Sequence, residues 1–178
     1  MDSILYISDL RRGGGVNLGR FPLLKILINY NVSASFIYWL RQCRNNNSFI
    51  RLIAMFFRRK LTRKYGIQIP ETVLIGPGFW IEHASPIVMH YNVVIGKNCT
   101  LHQFVTIGGV EGKAPIIGDN CFIGAGAIIL GDIRIGNNVT IGAGAVVTKD
   151  IPDNATVCGN PAKIIHYNHP GKYVKYPV

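Results

Sequence analysis

From Ile69 onward the chain repeats every six residues. Read from its aliphatic residue, the repeat runs IPETVL, IGPGFW, IEHASP and IVMHYN from Ile69, Ile75, Ile81 and Ile87. After two extra residues the frame resumes at Ile95, Leu101 and Ile107. After four more it runs unbroken from Ile117 through Ile123, Ile129, Ile135 and Ile141 to Val147. The fifth position of each hexad is mostly small or β-branched: Val73, Ser85, Cys99, Val105, Cys121, Ala127, Ile133, Val139, Ala145 and Ile151. Two inward positions per six residues suit short strands joined by tight corners. Gly and Asn supply those corners, as in Ile95-Gly96-Lys97-Asn98 and Ile135-Gly136-Asn137-Asn138, since both tolerate positive φ. Thirteen such hexads specify a solenoid in which each coil rests on its neighbours and both ends need caps.

The rest of the chain differs in composition. Residues 1–66 hold 12 Lys and Arg against 2 Asp and Glu, whereas residues 67–178 hold 7 against 7. The whole net charge of +10 therefore lies before the repeat. Leu, Ile, Phe and Trp at three- and four-residue spacings predict two helices over residues 22–64, broken at Asn45-Asn46-Asn47-Ser48, with Ser48 as the N-cap of the second. Gly13-Gly14-Gly15 suggests that residues 1–20 are loosely structured. The start lacks a basic region before a long apolar run, so no targeting signal is expected. Phe21 to Leu40 is broken by Lys25, Asn29, Asn31, Ser33 and Ser35, so no membrane span is expected either. The basic helices have two readings, a solvated face or a contact with an anionic membrane. No nucleic-acid-binding motif is present, and nucleic acid is not expected as a partner. Four Cys without close pairing (43, 99, 121, 158) fit neither a zinc ribbon nor a disulfide framework. Cys99 and Cys121 sit at the inward small position and are expected to pack.

These hexads resemble those of the hexapeptide-repeat acyltransferases, which implies three hexads per coil, so register can be counted. Ile81 to Leu101 is one coil plus the two-residue insertion. Leu101 then stacks on Ile81, His102 on Glu82 and Gln103 on His83, with Gly124 and Ala125 one coil further on. Adjacent coils lie about 4.8 Å apart, so Glu82, His83, His102 and Gln103 form one patch. A histidine beside a carboxylate suits removal of a proton from a hydroxyl near neutral pH. His90 faces another corner.

The stretches IEHASPIV, LHQFVTIGG, IGAGAIILGDIRIGNNVTIGAGAVV and GNPAKII resemble the bacterial hexapeptide-repeat acyltransferases. The serine O-acetyltransferase branch is the nearest in type, including its relatives in capsule and exopolysaccharide synthesis. The resemblance covers about residues 67–165. It implies a mainly β fold, a left-handed parallel β-helix, behind a basic helical cap (1–66) and ahead of a C-terminal tail (166–178). It implies acetyl-CoA as co-substrate, no metal, and a homotrimer with sites between subunits in the cytoplasm or at the inner membrane face. His83 matches the family's catalytic histidine and is expected to be the general base. Glu82, where the family has Asp, would orient an imidazole, and His102 stands where sugar-directed relatives often carry His. Thr106, Gly108, Ala125 and Ala143 fall on the positions along which pantetheine lies, and Lys163 would meet a CoA phosphate. Gln103 and Lys113 are candidate acceptor contacts.

One departure bears on the acceptor. The serine enzymes resemble one another in an Arg-His-Pro clamp for the amino-acid carboxylate; here the matching stretch is Lys113-Ala114-Pro115 on a short Gly108–Pro115 loop. Lys loses the bidentate carboxylate grip of Arg. The expected acceptor is therefore a saccharide hydroxyl, with serine O-acetylation in cysteine biosynthesis as the alternative and a non-catalytic trimeric scaffold as the remote one. A zinc carbonic anhydrase on the same repeat would need three His ligands, and the close pairing that this requires is missing.

Overall fold

The computed structural model describes residues 8, 9, 12, 32–175, 177 and 178. The described residues are mainly β: a parallel β-solenoid preceded by the helices Val32–Gln42 and Ser48–Tyr65. Fifteen short strands, β1 (Ile67–Gln68) to β15 (Lys163–His166), stack into three sheets, one per side of the coil. The five-strand side is β1, β4 (Ile87–Met89), β7 (Thr106–Gly108), β10 (Ile128–Leu130) and β13 (Val146–Val147). The four-strand side is β2 (Leu74–Ile75), β5 (Val94–Ile95), β8 (Ile116–Ile117) and β11 (Arg134–Ile135). The last is β3-β6-β9-β12-β14-β15, from Trp80–Ile81 through Thr100–Leu101, Phe122–Ile123, Thr140–Ile141 and Thr156–Cys158. Every pairing is parallel except the last, where β15 turns back on β14 and ends the stack.

The hexads supply the core directly. Ile69, Ile81, Leu101, Ile107, Ile123, Ile129 and Ile141 are fully buried, and so are Cys99, Cys121, Val139 and Ala155 between them. Cys99 and Cys121 pack as expected, each thiol also donating to a carbonyl one coil on, at Gly118 and Gly136. Asn98, Asn120, Asn138 and Asn154 hold the predicted corner at φ 55 to 65. Their side-chain amides join coil to coil, each Nδ2 donating to the next Oδ1 at 2.9–3.0 Å. Gly96 has a different reason to be glycine. A Cβ there would lie 2.7 Å from the Gly118 carbonyl carbon, so it answers to coil spacing rather than to φ.

The registers correct the frame at two places. Ile81 pairs with Leu101, twenty residues on, whereas Met89 pairs with Ile107, eighteen on. The Glu82 N–H donates to Leu101 O and the Phe104 N–H to Pro86 O. The two extra residues therefore sit in the corner around His83 to Ser85, not after Ile87. Ile87 pairs with Ile67 and takes the inward fifth position, while Ser85, expected there, is only half-buried. Similarly, Ile151 bridges Ile135, so it opens a hexad instead of filling a fifth position.

Helix α1 (Val32–Gln42) buries Phe36, Ile37, Trp39 and Leu40. Helix α2 (Ser48–Tyr65) packs on it through Trp39 and Phe57, stacked at 4.7 Å. The N-cap of α2 is Asn47, not Ser48: its side chain accepts the N–H groups of Phe49 and Ile50, which have no partner within the helix. Gly66 closes α2 at φ 72, donating to Thr62 O, where a Cβ would meet Pro86 at 2.9 Å. The expected helix over 22–31 and the triple glycine lie outside the described residues. Within the segment expected to be loose, Ser8, Asp9 and Arg12 are helical and anchored. Buried Asp9 pairs with Arg41 and accepts the Phe79 N–H. Buried Arg12 donates to Gly78 O and Asn98 O of the first coils and to Thr100 Oγ1. No helix among the described residues is long and apolar enough to cross a membrane.

Candidate active site

The corner that follows β3 and β6 gathers the candidate residues. Glu82 and His83 leave the end of β3, and His102 and Gln103 leave the end of β6 one coil on. The inserted residues swing the His83 side chain out. Its ring stands edge-on to that of His102, with centroids 5.8 Å apart at 76°. His83 and Glu82 are exposed, and His102 is half-buried. Burial pushes the His102 imidazole below its ordinary pKa of 6.5, the Glu82 carboxylate pulls it back up, and the positive fields of His83 and Lys175 push it down. His102 therefore stays neutral, able to accept a proton or to donate one N–H, to lower pH than a free imidazole would.

Below this pair the corner continues as Gly124-Ala125-Gly126 and Gly142-Ala143-Gly144. The Gly126 N–H donates to Gln103 O, and the Gly144 N–H to Ala125 O. Ala125 and Ala143 thus follow Gln103 in a column. Thr106 and Gly108 are on β7 (Thr106–Gly108), the strand that leaves the same corner. Lys163 opens β15 beyond the last coil. It lines a cleft of about 160 Å³ with Thr148, Lys149 and Pro161. Lys149, not singled out from the sequence, brings a second cation to that cleft.

Two candidates lie elsewhere. Lys113 is on the next corner, in a tight hairpin where Val110 and Lys113 exchange backbone hydrogen bonds. Its ammonium is engaged by Asp132 at 2.8 Å, which raises its pKa. Within one chain it does not join the histidines. His90 also stays apart, accepting the Asn92 N–H and lying against Tyr91. Among the described residues no group of three or more His, Cys, Asp or Glu is placed to hold a metal ion. A cavity of about 130 Å³ between α1 and the first coil is lined by Arg41 and Arg44, whose guanidiniums are already donated to backbone carbonyls.

Three features of the site were missed. Phe104 beside Gln103 has φ 61 and is 59% exposed. The stacked residues below it, Gly126 and Gly144, are glycines with φ 68 and 67, so an aromatic residue occupies a left-handed corner that usually excludes one. Phe122 packs on His102 at 4.9 Å, and Tyr173 on Phe122 at 5.2 Å. The C-terminal tail is thereby drawn back along the solenoid, until Val178 exchanges hydrogen bonds with Asn98. The repeat carries no signal for this return. Only the aromatic and basic residues of the tail hint at a surface to meet.

A carboxylate and two imidazoles on one corner of a hexad solenoid, above a glycine-alanine column, define a class. The chain belongs to the hexapeptide-repeat acyltransferase family. The bacterial transferase hexapeptide family (six repeats) matches residues 114–149, and the relatives are serine acetyltransferases. The crystal structure of Neisseria gonorrhoeae serine acetyltransferase in complex with serine superposes with a TM-score of 0.74 at 34% identity, covering 91% of this chain and 68% of that one. Serine acetyltransferase from Brucella abortus gives 0.76 at 28%, covering 92% and 68%. Serine acetyltransferase 5 of Arabidopsis thaliana is 41% identical over 118 residues, which is 64% of this chain and 38% of the plant protein. The chain thus spans about two fifths of the length of the curated relatives it matches. These likenesses overturn the expected saccharide acceptor, and with it the placement beside capsule and polysaccharide enzymes. That expectation weighed one altered loop, Lys113-Ala114-Pro115, above the rest of the chain.

Proposed function

We propose that this protein is a serine O-acetyltransferase, moving acetyl from acetyl-CoA to the hydroxyl of L-serine. The observation that carries the reading is the His83–His102 pair on the corner of a chain that superposes on a serine-bound acetyltransferase over 91% of its length. In this reading His83 takes the serine hydroxyl proton as the oxygen attacks the thioester carbonyl. Glu82 stabilises the imidazolium, and neutral His102 donates a hydrogen bond to the developing oxyanion. The tetrahedral intermediate then expels CoA thiolate, the His83 proton goes to its sulfur, and O-acetylserine and CoA leave.

The donor's pantetheine would follow Thr106, Gly108, Ala125 and Ala143. From the His102 coil to Lys163 is four strand spacings, roughly 19 Å, and Lys163 with Lys149 would meet the phosphates. A relative solved as a CoA complex, 28% identical with a TM-score of 0.71, supports CoA as the acetyl carrier. Gln103 would contact serine from the same chain. Lys113 would do so from a neighbouring subunit of a trimer, since its own corner is not that of the histidines.

The test is CoA thiol release from acetyl-CoA as L-serine is varied. Saturable dependence on serine supports the reading. CoA release at a rate independent of serine overturns it.

A further inference from the structure

Helix α2 buries only Ala54 and Leu61. At 100° per residue, Phe49, Leu52, Phe56, Arg59, Lys60 and Arg63 all project within an arc of about 100° on the opposite side. Phe49, Leu52 and Phe56 are 70%, 62% and 66% exposed, more than most large apolar residues in the chain. They fill the first two turns of that arc, and the three cations fill the last two. The helix carries six Lys and Arg and no Asp or Glu. Arg58 turns inward to Glu71, while Arg51, Arg59, Lys60, Arg63 and Lys64 are exposed and have no carboxylate partner among the described residues.

We infer that this face of α2 seats the protein on a bilayer that contains anionic phospholipid. The occupant must be negative at the surface and apolar beneath it. A second copy of the face would bring five exposed cations against five, and the solenoid, balanced at 7 and 7, offers no net negative charge to receive it. Nucleic acid would match the cations and leave the two phenylalanines and Leu52 in water. A lipid interface answers both halves: acyl chains take Phe49, Leu52 and Phe56, and headgroup phosphates take Arg59, Lys60 and Arg63. The inference is independent of the acceptor, and none of these residues touches the histidine corner.

The experiment is co-sedimentation of the full chain with phosphatidylcholine vesicles, with and without phosphatidylglycerol. The protein is expected to sediment with the anionic vesicles and to be released as salt is raised. Each cation near an anionic surface strengthens binding about fivefold, so Arg59→Gln/Lys60→Gln/Arg63→Gln should bind about a hundredfold more weakly. Phe49→Ser/Leu52→Ser/Phe56→Ser should lose at least about tenfold, with unchanged thermal unfolding. No sedimentation with anionic vesicles, equal sedimentation with neutral ones, or an unchanged serine variant would overturn the inference. So would a particle mass in light scattering that falls in the serine variant while the wild type ignores vesicles.

Discussion

The solenoid and the helical cap use apolar residues in opposite ways. In the solenoid, nearly every aliphatic hexad position is buried, and charged residues are sparse and balanced. In α2, most large apolar residues are in water beside cations with no carboxylate partner among the described residues, and only Ala54 and Leu61 are fully buried. The difference separates two tasks. The repeat makes its own core and sets its corners to within one coil spacing, which suits chemistry. The cap relies on the first coil for support and leaves a face free, which suits location.

That contrast breaks or sharpens at single residues. Ile123→Ala empties a fully buried position in the middle coil and should cost about 2–5 kcal/mol in denaturant unfolding. Gly96→Ala forces a Cβ onto the backbone of the next coil and should cost about 1–3 kcal/mol, since neither coil can yield alone. Asn120→Ala removes two of the three hydrogen bonds of the amide ladder and leaves a side chain at φ 55; roughly 1–2 kcal/mol is expected. A smaller effect belongs to His102. Its pKa is lowered by burial, so between that value and 6.5 the unfolded chain binds the proton more readily. Stability should be complete above pH 6.5 and decline as pH falls through the window below it, and His102→Gln should remove that decline. Smallest of all, Leu52→Ala on the cap should change stability by less than about 0.5 kcal/mol. A loss there matching that of Ile123→Ala would end the distinction between the two regions.

The repeat made most of the solenoid legible, because a six-residue period leaves few ways to stack. It located the Asn corners, the inward cysteines and the coil that brings Glu82, His83 and His102 together. It did not locate the insertion. A two-residue excess preserves the same coil count whether it falls before or after Ile87, and only hydrogen bonds between coils distinguish the two. The correct placement matters, because it lifts His83 out of the column over Gln103 and turns it toward His102. The anchoring of Asp9 and Arg12, and the return of the tail to Asn98, were illegible for a related reason. Both rest on long-range contacts with no periodic signature. The acceptor was not legible at Lys113-Ala114-Pro115, because a lysine still offers a cation to a carboxylate and the loss of bidentate geometry alone does not exclude serine.

Chemistry at the solenoid corner and none on the cap is the division of labour proposed for this protein. Serine-dependent CoA release by His83→Ala, beside the Phe49→Ser/Leu52→Ser/Phe56→Ser variant, tests this most directly. The account predicts a loss of about a hundredfold or more for His83→Ala, with its thermal unfolding unchanged, and wild-type turnover in solution for the α2 variant. Near-normal turnover by His83→Ala, or an equal loss in both proteins, would contradict it.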